Sequence, residues 1–411
     1  MTLQPAPDPT RRRSRGVVGG LLVVLLLAGC GLRLETPPPA EPEPDTLEIV
    51  RRTAVTDALF VAEQADAAIE ELGDRRRRLV AELERVAADS REQADQLGGV
   101  YVSGLQEPAD PPSGSPQSTP ADEPVLARDV VDALTNASGR NRTAAGTTAD
   151  GSLARLLASV GAAQAVSAAR VGGFTDDGAP APVVPRLPGP DEVTADAPSG
   201  ASPAGDDAGQ AADRSGSAAL TAPSDAEEPP ATEEPGEDGV SSTSPDSDEP
   251  PVVPVGLTAA DLRTLVTSEH GAGYALRLRA ALRPEDERAR LAGRADVHTA
   301  RAQAWAVVAG TDGTAQDPRQ VAYAVPRGPG DRALVRAVED DLATTYATLV
   351  GSTAAGTRAV LVDLLVETAL TLDAWGADPV PFPGLPEQAP QETTDGEDAA
   401  EDQGGQSDQD G

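Results

Sequence analysis

Acidic side chains are abundant in this chain and histidines are rare, with 67 Asp and Glu against two His. One of the two, His298, falls on the apolar stripe of a helix-length segment. Glu269 falls on the stripe of another, and a further such segment offers Glu367. Carboxylates and imidazole brought together inside a helical bundle are ligands for iron or another divalent metal. A bundle that holds a metal pair uses a Glu from each of two helices and a Glu-x-x-His from each of the other two. The i, i+3 spacing puts both side chains of that motif on one face. In this chain the residue three before His298 is Ala295, and three after Glu367 stands Leu370. Glu339 and Asp341, on a third segment, lie near the edge of its stripe. Ligands are therefore missing from their places, and two readings remain. In the first, Glu269 and His298 face each other as a hydrogen-bonded pair, completed by Arg301 or Arg277, because a buried carboxylate must be paired or lose its charge. In the second, Glu269, His298 and Glu367 form a mononuclear metal or small-ligand site. No other cofactor is expected.

A different chemistry is suggested near the start. Arg11, Arg12, Arg13 and Arg15 precede a nearly unbroken apolar run from Val17 to Leu27, followed by Leu27-Ala28-Gly29-Cys30. The run falls short of the roughly 20 residues of a stable membrane span and has the flanks of a signal peptide. The four residues ending in Cys30 resemble the lipobox of bacterial lipoproteins. That resemblance implies a diacylglyceryl thioether on the Cys30 thiol, with cleavage just before it. Two acyl chains, at roughly 0.8 kcal/mol per buried methylene, give stable anchoring. Residues 1–29 are thus read as a lipoprotein signal peptide. Residues 30–45, with Pro37, Pro38, Pro39, Pro42 and Pro44, are read as a stiff extended tether.

The elements that must carry the candidate ligands follow from periodicity. Apolar residues at spacings of three and four predict helices over 46–72 and 75–97, and the short break between them implies an antiparallel hairpin. Turn-rich sequence over 98–122 reads as a loop. A short helix over 125–134 and an Ala-rich one over 153–171 complete an N-terminal region, 46–173. Residues 174–255 are Pro, Gly, Ser, Ala and Asp with almost no apolar period. From 176 to 255 there are 18 acidic residues against two basic ones. This stretch, and the tail 387–411, are read as disordered and acidic. Residues 256–386 hold both histidines, and six of the chain's nine aromatic residues lie at Tyr274, Trp305, Tyr323, Tyr346, Trp375 and Phe382. Four helices are expected here, over 258–282, 284–305, 331–349 and 355–375. Thr258 and Asp261 form a capping box at the first. The two short links force antiparallel pairs. The long link over 310–330 makes a crossover between the pairs, the ferritin-like arrangement of a four-helix bundle.

Ser268-Glu269-His270 with Tyr274, His298 with Arg301, and the terminal Pro381-Phe382-Pro383-Gly384-Leu385-Pro386 resemble the uncharacterised ferritin-like domain of actinobacterial lipoproteins. The likeness covers residues 258–386. It implies a fold and a cellular address and carries no established activity.

The fold class is therefore read as all-α, with a C-terminal ferritin-like bundle, an N-terminal helical hairpin or bundle, and long acidic linkers. Composition removes several functions. The net charge is −34, and the chain has one Cys and no Lys. A basic nucleic-acid binder, a disulfide scaffold, a Cys/His zinc module and a Walker phosphate loop are excluded. Ser-rich runs have no neighbouring His to activate a nucleophile. The reading is a non-enzymatic protein held at the outer face of the cytoplasmic membrane through lipidated Cys30, meeting envelope proteins and no nucleic acid. The alternative is a metal-binding or redox ferritin-like protein with a reduced, non-standard site.

Overall fold

A computed structural model of the chain describes residues 43–73, 75–103, 124–189 and 252–388. The signal segment, Cys30 and most of the tether lie outside the described residues. So do residues 104–122 of the expected loop, residues 190–251 of the expected linker and the tail beyond 388.

Eight α-helices and one short 3-10 turn make up the regular structure, and no strand occurs among the described residues. They are α1 (Thr46–Leu72), α2 (Arg77–Gln96), α3 (Ala127–Thr147), α4 (Gly151–Gly172), α5 (Ala259–Ala280), α6 (Glu285–Val308), α7 (Asp331–Ser352) and α8 (Ala359–Ala374). The fold is all-α, and α5–α8 form a bundle in which the 309–330 crossover joins two antiparallel pairs. All eight helices belong to one compact unit.

Local chemistry sets most of the boundaries. The Thr258 hydroxyl accepts the Asp261 N–H at 3.1 Å, and the Asp261 carboxylate accepts the Thr258 N–H at 2.8 Å, which closes the expected capping box of α5. Asp150 caps α4 by accepting the Leu153 N–H at 2.8 Å. The helix expected over 125–134 instead runs to Thr147. Its second half contains Asn136, Gly139, Asn141 and Gly146, all poor helix formers. Packing on α4 overrides propensity there. The Ser138 hydroxyl donates to the Gly161 carbonyl at 2.7 Å, and the Asn141 amide donates to the Gln164 side chain at 2.9 Å.

α4 is the helix around which the rest is arranged. It is long and apolar enough to cross a membrane by composition, but most of it is buried among its neighbours. Small residues dominate its surface, including Gly161, Ala162, Ala163 and Ala168, so α3, α7 and α8 approach it closely. Leu157 and Val160 of α4 share one core with Leu342 of α7 and with Leu361 and Leu365 of α8. The helices before residue 173 and those after 256 therefore bury a common apolar interior. Residues 179–189 continue past α4 without regular structure, and Val183 and Leu187 pack on the same core.

The Pro-rich end of the domain crosses the seam between these helices as a strap. The Pro381 carbonyl accepts Gln93 of α2 at 3.1 Å, and the Pro383 carbonyl accepts Ser159 of α4 at 2.8 Å. Phe382 and Leu385 are buried. Gly384 between them has φ +76°, and a Cβ there would lie 2.6 Å from the Ala343 carbonyl oxygen. Gly384→Ala should therefore cost both the left-handed backbone and the clash, about 3 kcal/mol in urea unfolding. Gly356→Ala, at φ +81° with nothing within 4 Å, should cost only the backbone part, about 1 kcal/mol. Equal losses in the two variants would show that the strap does not pack on α7.

Candidate functional site

Four helices each deliver charge to the interior of the bundle. α6 carries Arg294, His298 and Arg301, spaced i, i+4 and i+7, so one face of the helix presents two guanidiniums around an imidazole. α5 supplies Glu269, α7 supplies Glu339 and Tyr346, and α8 supplies Glu367. Glu269, His298, Glu339 and Tyr346 are fully buried, and Arg294 and Arg301 are 8% and 4% exposed. Burying an ion costs several kcal/mol even after relaxation, so each of these groups needs a partner.

The geometry supplies them. His298 Nδ1 is 2.7 Å from Glu269 Oε2, and Nε2 is 3.2 Å from Glu339 Oε1. Both ring nitrogens face carboxylates, so the ring satisfies its neighbours as an imidazolium donating from each. Arg294 donates to Glu339 through Nε at 2.5 Å and Nη2 at 2.6 Å, a bidentate fork. The same guanidinium donates through Nη1 to Glu367 at 2.5 Å. Arg301 donates to Glu367 at 2.6 Å and lies 4.0 Å from Glu269. The Tyr346 hydroxyl donates to Glu269. Three carboxylates thus meet two guanidiniums and one imidazolium, and the formal charge of the cluster is zero.

The titration behaviour follows from this balance. Burial pulls the His298 pKa down, but the hydrogen bonds to Glu269 and Glu339 more than offset it, and the value is raised above 6.5. Burial raises the Glu339 carboxyl, and His298 and Arg294 outweigh that and lower it. Glu367 is treated alike by burial and then by Arg301 and Arg294, and falls from 4.5 to about 2. Burial and the Glu269 charge hold the Tyr346 phenol protonated, with its pKa well above 10.

Of the residues singled out from the sequence, Glu269 and His298 are brought together as the expected pair. Arg301 joins them, whereas Arg277 lies exposed and pairs with Asp296 at 2.6 Å. Glu367 does not complete a trio with them, because its carboxylate is taken by Arg294 and Arg301. Glu339, read as an edge residue, is at the centre of the cluster, while Asp341 is exposed. Arg294 and Tyr346 had not been assigned a role. The signal for Arg294 was its spacing from His298 and Arg301, one turn before the imidazole on the same face. Among the described residues, no group of three or more His, Cys, Asp or Glu is placed to hold a metal ion. A metal at the Glu269–His298 pair would have to displace the Tyr346 hydroxyl and strip His298 of its proton. The other histidine, His270, lies outside the cluster. Its Nδ1 is 3.0 Å from the Tyr323 hydroxyl, which fastens the crossover to α5.

The arrangement defines a helical bundle whose interior carboxylates are neutralised by organic cations. Residues 261–387 match the family described as a domain of unknown function, DUF4439. The match spans α5 to the end of the strap and so includes every member of the cluster. No curated protein and no solved structure matches the chain.

The His298 linkage has a definite sign. Its folded pKa is raised, so its contribution to stability is fully present below the unfolded value of 6.5 and is lost as the pH rises through the raised folded value. Stability from urea unfolding should fall by about 1.4 kcal/mol per pH unit over the part of this window above pH 7. Few other side chains titrate there, since the chain has no Lys. His298→Gln should abolish the slope, and an unchanged slope in that variant would show that the imidazole is not charged in the fold.

Proposed function

We propose that this chain is a lipid-anchored bacterial envelope protein whose helical body is a non-catalytic interaction module. The observation that carries this reading is the use made of the bundle interior. The acidic side chains that could serve as metal ligands are committed to Arg294, Arg301 and His298. A cluster so filled holds four helices in register and leaves no open coordination position for a substrate. The address rests on the lipobox-like Leu27-Ala28-Gly29-Cys30 behind its basic and apolar segments. With Cys30 acylated, the proline-rich tether would hold the body at the outer face of the cytoplasmic membrane. Its partners are then the membrane itself and proteins of the envelope.

Two measurements test the two halves of the reading. Intact mass of the protein extracted from membranes should show cleavage before Cys30 and two or three acyl chains. Cys30→Ser should leave an unmodified precursor, and a wild-type chain recovered unprocessed from the soluble fraction would refute the anchor. Elemental analysis of the full chain, expressed with added iron, manganese and zinc, should find no stoichiometric metal. Near-equimolar metal that disappears in Glu269→Ala and His298→Ala would establish the metal-binding alternative in its place.

A further inference from the structure

A groove of about 300 Å³ opens between α4, α7, α8 and the strap. Its floor is apolar, made by Val166 of α4, Ala369 and Leu372 of α8, and Val380 and Pro383 of the strap. This volume is at the lower end of small-molecule sites and too small for a folded segment. The walls are helices and a strap anchored at Gln93 and Ser159, so the groove is formed without a ligand.

Its charged residues divide into two kinds. Asp373 is taken by Arg170 at 2.8 Å, and Arg336 is turned to the Gly376 carbonyl at 2.9 Å. Asp340 and Asp378 also line the groove, and neither carboxylate has a hydrogen bond or ion pair among the described residues. Partial burial and the adjacent Asp341 raise the Asp340 pKa above its ordinary 3.8. The Asp340 and Asp378 carboxylates are both solvent-exposed at the rim of the groove, whereas the half-buried Asp373 in its wall is matched to an arginine. An apolar trough with unmatched carboxylates at its mouth is complementary to a cation carried on an apolar body.

We propose that this groove binds a small amphiphilic ammonium compound, with Asp340 as its counter-ion and the Val166–Leu372–Val380 floor taking the apolar part. An ammonium can donate a charge-assisted hydrogen bond to Asp340, since Arg170 is paired with Asp373 and Arg336 is turned to the Gly376 carbonyl. The apolar body is held by surface burial, at roughly 25 cal/mol per Å². This inference is independent of membrane anchoring and of metal binding.

The test is a ligand-observed NMR titration of the full chain with 2-phenylethylammonium, 2-phenylethanol and 3-phenylpropionate. The ammonium should bind best, the alcohol about tenfold or more weakly, and the carboxylate not measurably. Asp340→Asn should reduce the preference for the ammonium over the alcohol. Ala337→Trp, on an exposed wall of the groove, should block all three probes, and thermal melting of both variants should match the parent. Equal binding of ammonium and alcohol, or an Asp340→Asn variant that binds as the parent does, would overturn the proposal. So would capture of an acetylated Leu-Arg-Leu peptide by a groove that ignores the small ammonium, because that result would make it a peptide-docking surface.

Discussion

Buried charge must be neutralised locally, and in this protein that requirement is met by side chains reaching across the bundle. α6 and α8 make little close backbone contact. The Arg294 and Arg301 guanidiniums on the Glu367 carboxylate span the distance between them, and Arg290 reaches the Ala374 carbonyl at the end of α8. The long side chains act as struts. Removing Arg294 or Arg301 would leave an uncompensated ion in a low-dielectric interior, which is more damaging than the pair is stabilising. The cluster therefore specifies how the helices are arranged more than it deepens the energy well.

Apolar burial joins the helices before and after the acidic linker. Val350 of α7 and Leu361 and Leu365 of α8 share one apolar core with Leu157 and Val160 of α4. The small residues of α4 allow backbones to approach, to the point that a Cβ on Gly151 would lie 2.0 Å from the Gly351 carbonyl oxygen. Polar joints then fix the angle, with Arg170 linking Glu82 of α2 to Asp373 of α8. The strap seals the seam through backbone carbonyls, which prolines leave free to accept.

Much of this was legible in the sequence. Apolar spacing located seven of the helices closely, because their stripes are long. It failed over 135–147, where weak helix formers are held by contacts with α4 that no local pattern encodes. For the site, stripe position was enough to find Glu269 and His298. It misjudged Glu339, since a carboxylate beside an apolar stripe is ordinarily turned to solvent. The presence of His298 and Arg294 across the bundle makes its burial tolerable, and such a pairing depends on which helices become neighbours. The shared core was hidden for a related reason: a helix made of Ala, Gly and Ser, such as α4, has too little hydrophobic contrast to announce that it is buried on every side.

Filling a bundle with guanidiniums in place of metal ions has a chemical consequence. A divalent ion offers exchangeable coordination positions and can leave; a guanidinium is covalently attached, stays protonated and offers only fixed N–H donors. Carboxylates bound to it have lost their free lone pairs and, with pKa values driven down, their ability to act as bases near neutral pH. Under the proposed non-catalytic reading, recognition takes place on the outside of the domain. The groove beside α7 fits that division of labour. It lies where helices from both parts of the chain and the strap converge, so its shape exists only in the assembled fold. Asp340 and Asp378 at its rim are among the carboxylates that the arginines leave unmatched.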